Sequence, residues 1–152
     1  MDISNFLSEK SVIYSLKSQN KKQVVRELLA LMADNGLVND SDLAFSDIMS
    51  RENHLSTGME NGLAIPHAKT DAVKKLVVAF GVHRKGLDYD SLDGKPAHFI
   101  FLVLSPRDTS GPHIQALAQI SRTLKNSDIR SEILQAQNAQ HIFQLLTQSH
   151  KA

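Results

Sequence analysis

Two nearly continuous apolar runs constrain the fold of this chain more than any other feature. They span Leu76–Val82 and Ala97–Leu104. A strand that meets solvent on one side alternates apolar and polar residues, whereas a strand covered on both faces is apolar throughout. Asp93 and Gly94 predict a turn just before the second run. The two runs therefore predict the centre of a sheet that is covered on both faces.

Segments with helical spacing precede these runs. Asn20 is a good N-cap, and Gln23, three residues later, predicts a capping box at the start of a first helix. Gly36 predicts the end of that helix. A second helix is expected to begin at Asn39 or Asp40. Two helices are thus expected before the strands.

Further helices are expected after the second run. The third begins near Ser110–Pro112, because proline is tolerated in the first helical turn. Its predicted inward stripe consists of Ile114, Leu117, Ala118, Ile120 and Leu124. Two shorter helices are expected to be capped by Ser127 or Asp128 and by Asn138. Together with a short strand within Ser11–Leu16, these elements predict a sheet sandwiched between helices.

The composition predicts one globular domain that spans residues 1–152. Hydrophobic residues make up 41% of the chain and charged residues 22%, which is ordinary for such a domain. The net charge of +1 predicts no general attraction to nucleic acid or to a membrane surface. Cysteine is absent, which excludes disulfides, thiolate metal sites and a cysteine nucleophile.

A cytoplasmic location is expected. No apolar run approaches the ~20 residues of a membrane span. The first residues, Met1–Ser4, lack the basic-then-apolar pattern of a signal peptide. The lack of cysteine also fits a reducing compartment.

The segment Gly62–Ala68 holds the first candidate functional residue, His67. The apolar run Leu63–Ile65 predicts a short buried strand, and Pro66 is expected to end it because proline cannot donate to a ladder. His67 would then lie just past the strand end, at the rim of the sheet where ligands of α/β folds bind. Its position fits a reactive imidazole and a histidine that caps a loop carbonyl about equally well.

His113 and Arg51 are the next candidates. His113 falls in the first turn of the third helix, on the face of Leu117 and Ile120, so it is expected to point inward where the helix dipole favours an anion. The same field disfavours imidazolium, so His113 is expected to be neutral. A purely structural buried histidine is the alternative. Arg51 fits either a surface cation at a helix C-terminus or a guanidinium that binds two phosphoryl oxygens.

The other histidines are expected to be structural. Polar neighbours predict surface positions for His54, His83, His141 and His150. His98 lies at the start of the second apolar run and is expected to be a half-buried residue with its hydrogen bonds satisfied.

Two stretches resemble a known family. The first contains Arg51, Ser56–Gly58, Gly62 and Ala64–His67; the second is Leu92–Pro106, followed by His113 and Leu117–Ala118. Both resemble the IIA domains of the fructose/mannitol family of the bacterial phosphoenolpyruvate-dependent sugar phosphotransferase system, which includes nitrogen-regulatory relatives. The resemblance covers nearly the whole chain.

The resemblance implies a phosphocarrier with an α+β fold, in which a mixed central sheet lies between helices in an α/β/α sandwich. His67 would accept a phosphoryl group on Nε2, as a tele-phosphohistidine, from the phosphocarrier HPr or an HPr-like protein. It would pass the group to a IIB domain, usually onto a cysteine. His113, Arg51 and Thr57 would stabilise the phosphoryl group. No metal and no cofactor are implied, nucleic acid is not a partner, and peripheral association with a membrane transporter is compatible with this role.

Two departures from the family pattern and three alternatives remain open at this point. Ala68 stands where glycine is commoner, and Glu60 stands where many members have glycine. The chain is alternatively a nitrogen-type regulator that binds other proteins according to its phosphorylation state. A remoter alternative is a metal hydrolase that uses His67, His113 and Glu60 as ligands. The last is an interaction domain without chemistry.

Overall fold

A mixed sheet of five strands separates two layers of helices. The computed structural model describes residues 3–148. Two short 3-10 turns, Ile3–Asn5 and Glu9–Ser11, precede the sheet. The strands are β1 (Val12–Ile13), β2 (Leu63–Ala64), β3 (His67–Lys69), β4 (Val77–Leu87) and β5 (Ala97–Ser105). The helices are α1 (Lys21–Asp34), α2 (Ser41–Glu52), α3 (Gly111–Leu124), α4 (Ser127–Gln135) and α5 (Ala139–Gln148).

The two predicted apolar runs form the long central pair of strands. β4 and β5 are antiparallel, with Val78 opposite Val103 and Val82 opposite Phe99. β1 runs parallel to β4 at one edge. At the other edge, β2 and β3 run parallel to successive parts of β5. The predicted turn before β5 is present, with Gly94 at a φ of +71°.

Alternate residues of the central strands bury opposite faces of the sheet. On one face, Ala79 and Leu102 pack against a cluster that includes Leu28 of α1 and Ile48 of α2. On the other face, Phe80 and Phe101 stack with ring centroids 4.2 Å apart, in a cluster with the apolar faces of α3, α4 and α5. Burial on both faces explains why these strands lack polar alternation. The predicted α/β/α sandwich with a mixed sheet is therefore confirmed.

Several predicted helix ends are confirmed, with two differences. Asn20 caps α1 through the N–H of Gln23, but the Gln23 side chain accepts from the N–H of Gln19 instead of closing the box on Asn20. Asp40 caps α2. Asn126, one residue before the predicted Ser127 or Asp128, caps α4 because its side-chain oxygen reaches two N–H groups of the first turn.

The predicted inward stripe of α3 is wrong at two positions. Ile114 is 64% exposed, and Ala118 is exposed as well. The buried face turns instead through His113, Ala116 and Ile120, together with Gln119, Thr123 and Leu124. The apolar pattern was read one column too wide, since Ile114 and Ala118 lie beside the buried face and not on it.

Pro66 interrupts the edge strand but does not end it, which corrects the prediction. β2 stops at Ala64, and β3 resumes at His67 along the same strand, β5. At the interruption the N–H of Ile65 donates to the carbonyl of Thr57, and the carbonyl of Pro66 accepts from Val103. A proline is tolerated here because the position is at the sheet edge.

No helix within residues 3–148 is long and apolar enough to cross a lipid bilayer. The single-domain boundary at residues 1–152 stays a prediction, as does the cytoplasmic location.

Candidate functional site

His67 is held by the strand interruption that precedes it. Its Nδ1 lies 2.7 Å from the carbonyl oxygen of Ile65, a group that the break in the ladder leaves without a backbone donor. A carbonyl only accepts, so Nδ1 carries the proton. In the neutral ring Nε2 is then the nitrogen with the free lone pair. Pro66 and Ile65 thus fix both the position and the tautomer of His67.

His113 is held in the same way by a different partner. It lies in the first turn of α3, where it is 7% exposed, and its Nδ1 is 2.6 Å from Oγ of Ser105 at the end of β5. Ser105 is fully buried, and His113 is the partner of its hydroxyl within the described part of the chain. The hydroxyl therefore donates to Nδ1, which leaves the proton of neutral His113 on Nε2.

The structure brings the two predicted histidines together. Their ring centroids are 5.6 Å apart and the ring planes are inclined by 56°. Both line a cavity of about 350 Å³, which Arg51 of α2 also lines. Three of the four predicted site residues therefore converge from an edge strand, a helix start and a helix end.

Thr57, the fourth predicted residue, is placed differently. It is 6% exposed and is not among the residues that line this cavity. Its hydroxyl donates to the carboxylate of Glu52 at 2.6 Å, and its N–H donates to the same carboxylate at 2.9 Å. Thr57 therefore contacts Glu52, the neighbour of Arg51, and its side chain is directed away from the two histidines.

Glu52 is the centre of a buried polar network that sequence reasoning missed. Lys21 of α1 lies 3.4 Å from the Glu52 carboxylate and 4.4 Å from the centroid of the Tyr89 ring. The Tyr89 hydroxyl is 3.3 Å from Oγ1 of Thr57. Burial, with a further contribution from Glu52, raises the pKa of Tyr89, so this hydroxyl stays protonated. The network fixes the loop that follows α2.

Arg51 also supports this loop. Its Nη1 donates to the carbonyl of Leu55 at 2.8 Å, which turns the chain back after α2. A guanidinium has five N–H donors in a fixed fork, so this bond leaves further donors for an anion in the cavity.

Two more cations line the cavity and were not predicted. Lys69 follows His67 by two positions on β3, so both lie on the same side of the strand, and its Nζ is 2.9 Å from Oγ of Ser110. Arg107 is paired with Asp47 at 3.3 Å and with Asp71 at 3.4 Å. Arg51, Lys69 and Arg107 face a single lining acid, Asp47, so the cavity favours an anion.

Both site histidines are neutral at pH 7. Burial is the largest cause that lowers the pKa of His67, and Arg51 lowers it further, although the hydrogen bond to Ile65 and the charge of Glu52 act in the opposite direction. Burial, followed by the charges of His67 and Lys69, lowers the pKa of His113 to about 4. The predicted neutrality of His113 agrees with this result, but desolvation is its main cause.

The remaining histidines agree only in part with the prediction. His54 is exposed and His141 half-buried, while His150 lies outside the described residues. His83 was predicted at the surface and is buried instead, at 8% exposed, with Nε2 2.7 Å from the carbonyl of Ser18. His98 is half-buried and bonded to the carbonyl of His83, as predicted.

The ligand set of the metal alternative is not assembled. Glu60 lines a different cavity, beside Met59 and Leu92, away from His67 and His113. Between residues 3 and 148, no group of three or more histidine, aspartate or glutamate side chains is arranged to hold a metal ion.

Residues 5–149 match the family described as "Phosphoenolpyruvate-dependent sugar phosphotransferase system, EIIA 2". The chain belongs to this EIIA 2 family. The resemblance inferred from the sequence is therefore confirmed, and the protein is a component of a phosphotransferase system. The match includes β3, α3 and the end of α2, which together carry His67, His113 and Arg51.

Two curated relatives show how EIIA 2 sequences are used in other proteins. The chain is 36% identical over 147 residues to the fructose-specific EIIA component of Haloferax volcanii, and the match covers 97% of this chain and 96% of that protein. It is 34% identical over 151 residues to the fructose-specific EIIABC component of Bacillus subtilis. There the match covers 99% of this chain but only 24% of the relative.

Solved structures show the same fold. The nitrogen regulatory protein IIA-Ntr of Neisseria meningitidis superimposes with a TM-score of 0.86 at 27% identity, over 95% of this chain and 99% of that one. IIA mannitol of Escherichia coli, in its complex with phosphorylated IIB mannitol, gives a TM-score of 0.78 at 17% identity. That match covers 92% of this chain and 96% of the other, and it supports the fold alone.

Proposed function

We propose that this EIIA 2 protein is a phosphocarrier in which Nε2 of His67 accepts a phosphoryl group from HPr or an HPr-like protein. The observation that carries the proposal is the hydrogen bond from Nδ1 of His67 to the Ile65 carbonyl. It leaves a lone pair on Nε2 in a cavity lined by three cations. A neutral, oriented imidazole in a positive environment is what attack on a phosphoryl group requires.

The transfer is a single displacement at phosphorus. The Nε2 lone pair of His67 forms the new N–P bond while the N–P bond of the donor phosphohistidine breaks, and the electron pair of that bond returns to the donor ring. His67 keeps its Nδ1 proton, which the Ile65 carbonyl holds throughout. The product has a high transfer potential, so the group can leave again toward a second acceptor.

Arg51 and His113 are assigned to the three equatorial oxygens, on which negative charge is spread in the transition state. Arg51 offers the N–H groups that it does not donate to Leu55. His113, with its proton on Nε2 because Ser105 occupies Nδ1, donates one hydrogen bond without adding a full charge. Donors of this kind stabilise developing charge because they are already in place before reaction.

Thr57 is assigned a supporting role through Glu52. Its hydroxyl and N–H are both donated to the Glu52 carboxylate. The pair fixes the turn that leads from Arg51 to β2, so Thr57 would position the site without touching the phosphoryl group.

Exposed apolar side chains beside the cavity offer contacts for the donor and acceptor proteins. Leu55, whose carbonyl holds Arg51, is 72% exposed, and Ile114, the neighbour of His113, is 64% exposed. Small apolar patches flanked by charge suit transient encounters. We assign the acceptor as a IIB domain, by analogy with the mannitol complex, and place the reaction in the cytoplasm, with peripheral association to a membrane transporter.

A second role is favoured by the likeness to IIA-Ntr of N. meningitidis, which has the highest TM-score of the structures described above. Under this alternative, His67 would carry the same phosphoryl group, but its phosphorylation state would control binding to other proteins. The chemistry at His67 is common to both roles, so only the fate of the group separates them.

The two roles are tested by following the phosphoryl group after it reaches the chain. The protein is labelled with phosphoenolpyruvate, Enzyme I and HPr, then mixed with a cysteine-containing IIB domain of the fructose type. The carrier role predicts rapid loss of label from this chain and its appearance on the IIB cysteine. Labelling without onward transfer would favour regulation. Failure of any label to reach the chain would contradict both roles.

A further inference from the structure

A second cavity lies at the opposite end of the sheet from His67. It is formed by residues 15–19, which link β1 to α1, and by residues 83–86 of β4, and its volume is about 620 Å³. This volume falls within the range of small-molecule sites, which is roughly 300–1,000 Å³. It shares no residue with the cavity at His67. The partners of His67 and Val82 on β5 are Val103 and Phe99, four residues or roughly 13 Å apart.

The walls of the second cavity are fixed by two hydrogen bonds. The N–H of Leu16 donates to the carbonyl of Val82 at 2.8 Å, and Nε2 of His83 donates to the carbonyl of Ser18 at 2.7 Å. Both bonds hold the linker against β4. The second cavity is therefore a defined concave feature and not a gap between loose segments.

The charge lining the second cavity is entirely positive. Lys17, Arg84 and Lys85 line it, and no acid does. None of the three forms an ion pair with an acid in the described part of the chain. The carboxylate of Glu27 is close by, but it accepts from the N–H groups of Lys17 and Ser18 and from the Ser18 hydroxyl. Cations without a counterion in a concave site favour an anion.

Arg84 supplies an unpartnered donor at the second cavity. Its terminal nitrogens donate to the carbonyls of Leu134 and Tyr14, which are neutral, so no acid compensates the charge of the guanidinium. Its Nε is buried and has no hydrogen-bond partner among the described residues. A buried donor left unpaired costs about 1–3 kcal/mol, which an anionic oxygen would offset.

His83 supplies an unpartnered acceptor. Its side chain is more than nine-tenths buried, and because Nε2 donates to Ser18, the neutral ring presents Nδ1 as an acceptor. That Nδ1 is also without a partner within the described residues. A hydroxyl group is the simplest complement to such an acceptor. The lining of the cavity therefore combines sites for an anion with a site for a hydroxyl.

We propose that the second cavity binds a small phosphorylated molecule that carries a free hydroxyl, with the phosphate on Lys17, Arg84 and Lys85 and the hydroxyl near His83. An extended polyanion is disfavoured because the positive charge is confined to one concavity of a chain with a net charge of +1. The proposal uses no residue of the His67 site, so it stands independently of the phosphocarrier function.

The test is a titration of the full chain followed by ¹H–¹⁵N NMR at constant ionic strength. Glucose 6-phosphate is the probe, and inorganic phosphate and glucose are the comparison ligands. We expect saturable shifts of the amides of residues 15–19 and 83–86 with glucose 6-phosphate, weaker binding of phosphate, and no shifts with glucose. No saturable shifts in these segments, or equal affinity for phosphate and glucose 6-phosphate, would overturn the proposal.

Two exposed lysines provide variants that leave the fold intact. Lys17→Gln combined with Lys85→Gln is expected to weaken binding of glucose 6-phosphate about tenfold. The matched control, Lys10→Gln with Lys74→Gln, removes two exposed charges elsewhere and is expected to bind like the parent. Equal affinities of the two double variants would contradict the assignment.

His83→Gln tests the hydroxyl site separately. The glutamine amide retains a donor for the Ser18 carbonyl but has no equivalent of Nδ1. We expect this variant to lose its preference for glucose 6-phosphate over inorganic phosphate while it still binds both. An unchanged preference would exclude His83 from the site.

Discussion

The rings of His67 and His113 face each other with centroids 5.6 Å apart, and each ring is held through Nδ1 by a different partner. The Ile65 carbonyl leaves the lone pair of His67 on Nε2. The Ser105 hydroxyl leaves the proton of His113 on Nε2. One ring is thus prepared to attack and the other to donate, although both have the same chemical structure.

Ser105→Ala is expected to slow phosphorylation of His67 about tenfold, in the range seen when a partner that orients a functional histidine is removed. Without the hydroxyl, His113 is no longer restricted to the tautomer with its proton on Nε2. The direct readout is the ¹⁵N spectrum of the imidazoles, in which His113 should change from one tautomer to a mixture. Ser121→Ala, on the same helix as His113 but outside the site, is the control. An unchanged His113 tautomer in Ser105→Ala would show that Ser105 does not direct it.

Arg51→Gln is expected to reduce the rate of phosphorylation by ~10²–10³, the usual effect of losing one donor to a developing negative charge. Arg51 also lowers the pKa of His67, so the variant should require a higher pH to reach its full rate. Rates with phospho-HPr measured from pH 5 to pH 8 give both quantities. Arg51→Lys, which keeps the charge but not the planar fork, should restore the pH profile without restoring the full rate. A rate within twofold of the parent would contradict the role of Arg51.

Glu52→Gln is expected to lower the free energy of unfolding by about 3 kcal/mol, because it leaves the buried Lys21 cation without its partner. Urea denaturation measures this change. The control is Asp42→Asn, which breaks an exposed ion pair with Arg26 and should cost less than ~1 kcal/mol. Equal losses in the two variants would mean that the Glu52 network does not stabilise the loop.

Acidification is expected to destabilise the protein partly through His113. Its pKa is about 4 in the folded protein and near 6.5 when exposed. Between these pH values the unfolded state binds a proton that the folded state does not, so the free energy of unfolding falls as the pH falls from 6.5 toward 4. His113→Asn should show a shallower decrease over this range in urea denaturation measured at several pH values. Parallel pH dependences in variant and parent would contradict the neutral, buried state of His113.

Much of the architecture could be predicted from local patterns. β4 and β5 are apolar along nearly their whole length because both faces are buried, and that pattern is visible in the sequence alone. Side-chain caps such as Asn20 and Asp40 act within three residues of the positions they cap, so they too could be read locally. The convergence of His67, His113 and Arg51 required the family resemblance, because these residues come from three separate elements.

Other parts of the site depend on contacts that local patterns do not contain. Lys69 was missed because Pro66 was read as the end of a strand, and the continuation of that strand depends on pairing with β5. Ser105 and Glu52 act through partners in other elements or across a turn, and nothing in their immediate sequence indicates those partners. His83 was placed at the surface because of its polar neighbours, whereas the linker before α1 covers it.

The most direct test of the phosphocarrier account identifies the phosphorylated nitrogen. The protein is phosphorylated with phosphoenolpyruvate, Enzyme I and HPr, and long-range ¹H–¹⁵N spectra and intact mass are recorded at alkaline pH, with His67→Ala as the control. The account predicts one acid-labile phosphoryl group on Nε2 of His67 and none in His67→Ala. A phosphoryl group on Nδ1 of His67, on another residue, or still present in His67→Ala would contradict it.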